Sequence, residues 1–298
     1  MTRPLRWISA GLALGAAGFV AACLFVGGKL AEPLPRTIGP PPPDLSAETV
    51  HIPSPSGSKL VGWWIEGAPG RGAVVLMHGV RADRTSMVDR ARFLHRAGRS
   101  VLLFDFQAHG ESPGEHITFG ALESRDARAA VDFVRRRHPG ERIAALGTSL
   151  GGAAILLADP PLPVNAVILE SVYPTVEEAT DNRIRIRLGP LASLLTPALL
   201  VQLGPRLGIS PRDLRPIDEI GRLKVPLLII AGAEDRHTTR SESERLFGAA
   251  LEPKELWVIP GAAHVDLHRF AGTVYEKRVV EFLERKPWAF SRTGEAAW

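Results

Sequence analysis

The pentapeptide Gly147-Thr148-Ser149-Leu150-Gly151 follows the apolar run Ile143-Leu146 and precedes a helical pattern, Ala153-Ala158. A serine between glycines at this spacing fits a sharp strand-to-helix turn that lifts its hydroxyl above the strand ends, where it can act as a nucleophile. Gly147 and Gly151 let the two backbones come close, and Gly152 adds room. A serine hydroxyl is weak at neutral pH, so a base must take its proton and an acid must orient that base. Gly232-Ala233-Glu234-Asp235 puts a carboxylate just past the run Leu227-Ala231, and Pro260-Gly261-Ala262-Ala263-His264 puts an imidazole in a loop after Glu255-Ile259. Ser149, Asp235 and His264 are thus the expected nucleophile, acid and base of acyl transfer. Glu234 and Asp266 are the neighbouring alternatives to Asp235, read as solvated and loop-capping. His51, His95, His116, His138, His237 and His268 are read as surface or packing residues.

Acyl transfer builds charge on an oxygen that needs two preplaced N–H donors. One is the backbone of Leu150. The second is Val80, past the run Ala73-Met77, where Gly79 allows the chain to turn toward the site and His78 is read as a loop-stabilising histidine. No His, Cys or Asp spacing resembles a zinc site, so neither a metal nor a cofactor is expected.

Positioning these groups requires strands that end on one edge. Short β-branched or apolar runs alternate with helical patterns, which is the mark of an α/β fold with a mostly parallel sheet. Eight strands are expected, at Val50-Ile52, Leu60-Ile65, Ala73-Met77, Ser100-Phe106, Ile143-Leu146, Ala166-Glu170, Leu227-Ala231 and Glu255-Ile259. Helices are expected at Thr85-Ala97, Phe119-Arg137, Ser149-Ala158, Arg240-Ala250 and Ala271-Arg285. Successive parallel strands deliver residues far apart in sequence to one edge. The stretch from Val172 to Lys224 is too long for a simple crossover and reads as a cap. Its Leu188, Leu191, Leu195 and Leu199 suit packing against the body, or an apolar wall for an acyl chain. Glu177, Glu178 and Asp181 are the cap acids that a peptidase gripping an amine would need, and otherwise pair along a helix. The run Arg183-Ile184-Arg185-Ile186-Arg187 reads as a solvated face paired with nearby acids, with contact to an anionic group as the alternative.

His78-Gly79, the segment Asp105-Phe106-Gln107-Ala108-His109-Gly110-Glu111-Ser112, the turn at Ser149, the Gly232-to-Asp235 turn and the His264 loop together resemble the α/β-hydrolase superfamily. Within it, the chain is similar to the serine aminopeptidase-like and monoglyceride-lipase-like branch, over about residues 48 to 285. The resemblance implies an α/β-hydrolase fold, with an eight-stranded, mostly parallel sheet flanked by helices and a helical cap after the sixth strand. It also implies that Asp105, His109 and Ser112 shape a loop without reacting. Where the branch commonly has Arg-Gly before that histidine, Gln107-Ala108 stand here, so no arginine role carries over. The expected activity is that of a serine hydrolase cleaving carboxylic ester or lipid-like acyl substrates. An aminopeptidase or dipeptidyl-peptidase and a non-catalytic binding protein on the same fold stand as alternatives.

The chain has 298 residues, is 45% hydrophobic and carries a formal charge of +4. Arg3, Arg6, Lys29 and Arg36 against Glu32 precede Asp44, which leaves 32 basic and 31 acidic residues for the remainder. A near-neutral body without a basic and aromatic array speaks against nucleic acid as a partner. Residues 7–28 carry no charge and are long enough to cross a bilayer as a helix, behind a basic flank at 1–6. This segment is read as a retained membrane anchor. A cleaved secretory signal stays open, as does a lipoprotein modified at Cys23 in Val20-Ala21-Ala22-Cys23. All three readings favour a catalytic domain outside the cytoplasm. A proline-rich linker at 29–47 precedes the hydrolase domain at 48–290, with its cap at about 172–224, and a tail at 291–298.

Overall fold

The structure, a computed structural model, describes residues 3–285. The expected tail at 291–298, residues 286–290 and the first two residues of the basic flank lie outside the described residues. The eight main strands are β1 (Glu48–Pro53), β2 (Lys59–Ile65), β3 (Ala73–Met77), β4 (Ser100–Phe104), β5 (Ile143–Thr148), β6 (Ala166–Glu170), β7 (Leu227–Gly232) and β8 (Lys254–Ile259). Their spatial order is β8-β7-β6-β5-β3-β4-β2-β1, with β2 antiparallel to both neighbours and every other pairing parallel. Central strands such as Ala73–Met77 and Ala166–Glu170 are buried throughout, because helices cover both faces. Strand β1 alternates exposed and buried residues, as a half-solvated edge strand must.

On one face, α3 (Ala121–Arg137), α4 (Leu150–Leu156) and α8 (Arg240–Ala249) press Val131, Ile155 and Leu246 onto the sheet. On the other, α2 (Val88–Arg96) and α10 (Thr273–Glu284) press Leu94, Tyr275 and Phe282. The expected elements stand, with boundaries moved for local reasons. The helix expected from Phe119 starts at Ala121, since Phe119 and Gly120 have φ of 54° and 119°; the Glu123 carboxylate then accepts the Gly120 N–H at 2.8 Å. The helix expected from Ala271 is split by Gly272 (φ 54°) into α9 (Leu267–Ala271) and α10.

The cap folds as α5 (Val176–Leu188), α6 (Ala192–Leu200) and α7 (Leu203–Leu207), broken by Gly189-Pro190 and Gly208. Val176, Leu200, Leu203, Ile209 and Leu214 form its own apolar cluster, whereas Leu188, Leu191, Leu194 and Val201 stay exposed. The N-terminal helix α1 (Arg3–Ala31) is exposed from Gly11 to Ala22 and docks over its last turns. Gln202 Nε2 donates to Cys23 O at 2.9 Å and Arg206 Nη2 to Leu24 O at 3.1 Å, where Gly27 leaves space for the Gln202 amide. The proline-rich stretch then lies along the body. Leu34–Pro35 pairs with His109–Gly110, Glu111 accepts the Ile38 and Gly39 N–H groups, and Leu45 is buried.

Beneath the strand ends sits a buried ion pair. Arg90 on α2 donates through Nε and Nη2 to the two oxygens of Glu170, at 3.0 and 2.6 Å, and through Nη2 to Asp266 at 2.9 Å. Thr148 Oγ1 and the Tyr275 hydroxyl donate to the same Glu170 carboxylate. Burial works against the Arg90 charge, but Glu170, Tyr275 and Asp266 together outweigh it and hold the guanidinium protonated. Arg90→Leu, which leaves Glu170 buried without its cation, is expected to lower the unfolding free energy by about 3–5 kcal/mol in urea titrations. A loss below about 1 kcal/mol would mean that water already solvates the pair.

Candidate active site

Ser149 joins β5 to α4 with φ 50° and ψ −110°, a conformation that L residues adopt only when their surroundings enforce it. The enforcement is backbone contact. A Cβ on Gly147 would stand 2.4 Å from Gly151 C, and one on Gly151 would stand 2.3 Å from Met77 O. Ser149 N–H donates to Glu170 O at 2.8 Å, so β6 holds the turn from its other side. Ser149 Oγ is buried and makes no hydrogen bond among the described residues.

Asp235 and His264 extend from the ends of β7 and β8 and meet, with His264 Nδ1 2.7 Å from Asp235 Oδ2. Asp235 Oδ1 accepts the His237 and Thr238 N–H groups at 2.8 and 2.9 Å. Burial opposes ionisation of Asp235, but the His264 hydrogen bond and charge, together with these two donors, hold its carboxyl below the usual range. A carboxylate on Nδ1 fixes that nitrogen as the donor and leaves Nε2 as the acceptor nitrogen of the His264 ring. The structure therefore pairs Asp235 with His264 and leaves the Ser149 hydroxyl unpaired. The alternative acids are placed elsewhere: Glu234 is exposed, while Asp266 accepts the His268 and Arg269 N–H groups at the start of α9.

Leu150 is the first residue of α4, so its N–H has no partner within the helix. Val80 is the second residue of a turn closed by Ala82 N–H to Gly79 O at 3.3 Å, a position whose own N–H takes no part in the closure. Gly79 lies against the serine turn, and a Cβ there would sit 3.8 Å from Ser149 Cβ. His78 is fully buried. Its Nδ1–H donates to Gly79 O and its Nε2 accepts from Phe106 N–H at 3.1 Å, which ties the Val80 loop to the end of β4. His109 pins the same loop by accepting Arg81 N–H at 3.2 Å. Asp105 accepts Arg84 N–H and Glu111 N–H, and Ser112 Oγ donates to Asp105 O. These contacts shape the loop. Gln107 faces inward too, donating to His116 O and Glu123.

His237 stacks on His264, with ring centroids 4.8 Å apart, which is a packing role as its sequence reading allows. Arg185 pairs with Asp181 as the charge pattern implies, but among the described residues Arg183 finds only a carbonyl, Ala179 O at 2.7 Å. Spacing along α5 shows which residues share a face; which face meets β7 is a tertiary matter.

The fold and the arrangement at its strand ends define an α/β-hydrolase of the esterase and lipase type. Residues 68–220 match the family described as Serine aminopeptidase, S33 (Hydrolase_4), and the chain belongs to it. It is 31% identical over 239 residues to the uncharacterized protein Rv2307c of Mycobacterium tuberculosis, covering 78% of each chain. It is 25% identical to the monoglyceride lipase of Homo sapiens, covering 78% of this chain and 87% of that one. Among solved structures, the Pyrococcus furiosus esterase Pf2001 superposes with a TM-score of 0.70 at 26% identity, covering 86% of this chain and 98% of the esterase.

Burial, with the nearby His109, pushes the His78 pKa down to about 3. An unfolded histidine titrates near ~6.5, so as pH falls the unfolded chain takes up this proton first. The stability held above that pH is lost toward pH 3 at about 1.4 kcal/mol per pH unit. Urea titrations across this window are expected to show a shallower slope for His78→Asn than for wild type, and equal slopes would mean that His78 titrates freely.

Proposed function

We propose that the chain is a membrane-tethered serine hydrolase of carboxylic esters with lipid-like acyl groups, acting through Ser149, His264 and Asp235. The observation that carries this reading is the Asp235–His264 pair at 2.7 Å, on the strand ends beside a serine held at positive φ with its hydroxyl unpaired. Ser149 Oγ attacks the ester carbonyl as His264 Nε2 takes its proton. The Leu150 and Val80 N–H groups hold the oxyanion, and His264 returns the proton to the departing alcohol. Water, deprotonated by the same imidazole, then releases the acid and restores Ser149. The esterase and monoglyceride lipase among the relatives support an ester substrate.

The family description favours a second reading, an aminopeptidase, which needs a carboxylate free to grip a substrate amine. Two of the three cap acids have partners of their own. Glu178 takes Arg245 and Thr175, and Asp181 takes Arg185 and Thr196. Glu177 keeps one buried oxygen without a hydrogen bond among the described residues, with Arg215 as a charged neighbour. The ester reading asks nothing of these residues.

The anchor reading rests on the 21-residue stretch Gly11–Ala31, of mean hydropathy 1.9 and 6% buried. The hydrolase domain, taken as 48–290 with its cap inserted after β6, stands on the non-cytoplasmic side in this reading.

A fluorophosphonate probe is expected to label wild type and not Ser149→Ala; label retained in the variant would remove Ser149 from its role. Asp235→Asn is expected to lower kcat for p-nitrophenyl esters about 10⁴-fold with KM little changed. Faster turnover of aminoacyl amides than of any ester would transfer the reading to the peptidase. Retention in the membrane fraction after alkaline carbonate washing is expected for the full chain, and release would remove the anchor.

A further inference from the structure

Helix α5 lies over the candidate active site, and two contacts fix which of its faces points there. Ala179 packs with Tyr173 and with Ala153 of α4, four residues past Ser149. One turn on, Asn182 Nδ2 donates to Glu242 at 2.7 Å and to His237 O at 3.3 Å, on the loop whose imidazole stacks on His264. Arg183 follows Ala179 by four residues and so shares its face, over the serine turn and the His237 loop.

What Arg183 does there is unusual for a half-buried cation. Its one protein partner among the described residues is Ala179 O, an acceptor already used by the helix itself. Among the described residues no carboxylate lies within ion-pair distance of it, while Arg185 has Asp181. Burial works against its charge, and the groups near enough to favour that charge are Tyr173, Asp235 and Glu242. None of these is free to neutralise it. Tyr173 donates its hydroxyl to Phe119 O, Asp235 is engaged by His264 and two N–H groups, and Glu242 by Asn182 and Thr239 N–H. Exposed Arg187 adds a second positive charge, felt with that of Arg183 at His237. A guanidinium offers five donors in a planar fork, and one carbonyl engages only part of that capacity.

We infer that Arg183 is an anion-binding residue of the substrate site, selecting esters that carry a carboxylate or phosphate group away from the scissile bond. This rests on the ester-hydrolase reading above and narrows it to a substrate class. The observations behind it are a half-buried cation with no carboxylate partner among the described residues, and its place on α5 beside Asn182, which holds the His237 loop. A charge-assisted pair of this kind is worth about 10-fold or more in affinity.

The test compares kcat/KM for p-nitrophenyl glutarate, which keeps a free carboxylate, with that for neutral p-nitrophenyl valerate. A parallel arm compares a monoacylglycerol phosphate with the matching monoacylglycerol, which tells a carboxylate source from a phosphate one. Wild type is expected to favour the charged member of at least one pair. In Arg183→Gln that charged-to-neutral ratio falls about 10-fold, with the loss in KM; Arg183→Lys keeps part of it, and Arg185→Gln leaves it unchanged. A ratio unaltered in Arg183→Gln, or altered equally in Arg185→Gln, overturns the inference. The ester reading is scored separately, by Ser149-dependent turnover of the neutral esters. Should no ester turn over, glutarate and inorganic phosphate titrated against melting temperature decide the anion site. Stabilisation of wild type but not of Arg183→Gln upholds it, and equal responses refute it.

Discussion

Backbone touches backbone where β3, β5 and α4 meet, and the rest of the site depends on that contact. With hydrogen in place of Cβ at Gly147 and Gly151, the helix can start directly against the strand ends, where a Gly151 Cβ would stand 2.3 Å from Met77 O. The chain between them has no room for an ordinary turn, so Ser149 takes a φ of 50° and its side chain is thrown clear of both elements. The strain is borne by the surroundings: Glu170 O takes the Ser149 N–H, and the Gly79 loop packs against its Cβ. A hydroxyl so displaced stays unpaired among the described residues, which is the state the proposed nucleophile requires.

Loops at a sheet edge move unless something ties them down, and here the ties are buried charges and neutral histidines. Arg84 bridges Asp105 and Glu111 while lying 4.6 Å over the Trp63 ring, and Arg90 bridges Glu170 and Asp266. The second bridge joins three things that must keep a common frame: α2, the strand end beside Ser149, and the residue two past His264. Buried pairs of this kind contribute little net stability over apolar packing, and what they contribute here is fixed geometry. His78 and His109 act in the same sense. Each donates through Nδ1 to a carbonyl and accepts through Nε2 from a backbone N–H of the loop system, which only a neutral ring can do.

The N-terminal helix and the cap are coupled. Side-chain donors on Gln202 and Arg206 reach main-chain oxygens about two turns from the end of α1, and the proline-rich stretch runs along the body, tied to Asp83 and Glu111. In the membrane-tethered reading the anchor therefore meets the domain at its cap, beside the exposed Leu188, Leu191, Leu194 and Val201. The stretch Val176–Leu207 reaches a mean hydropathy of 1.4, yet Gly189 and Pro190 break it into short helices that pack around Leu214.

Ser149, Asp235 and His264 are legible in the sequence because each sits at a fixed offset from an apolar run, and the alternation of runs and helical patterns specifies a parallel sheet. The eight strands were legible for the same reason: burial on both faces demands continuous apolar residues, whoever the neighbours are. Glu234 and Asp235 are not distinguished by spacing alone; exposure of one and burial of the other against His264 distinguishes them. Nor does any pattern in residues 176–188 reveal that Ala179 joins Ala153 and Tyr173 in one cluster, that Asn182 grips the His237 loop, or that Arg183 has no carboxylate partner among the described residues. Periodicity states which residues of a helix share a face. What that face meets depends on how a fifty-residue insertion closes back over the sheet, and contacts between elements so far apart in the chain exist only once it has folded.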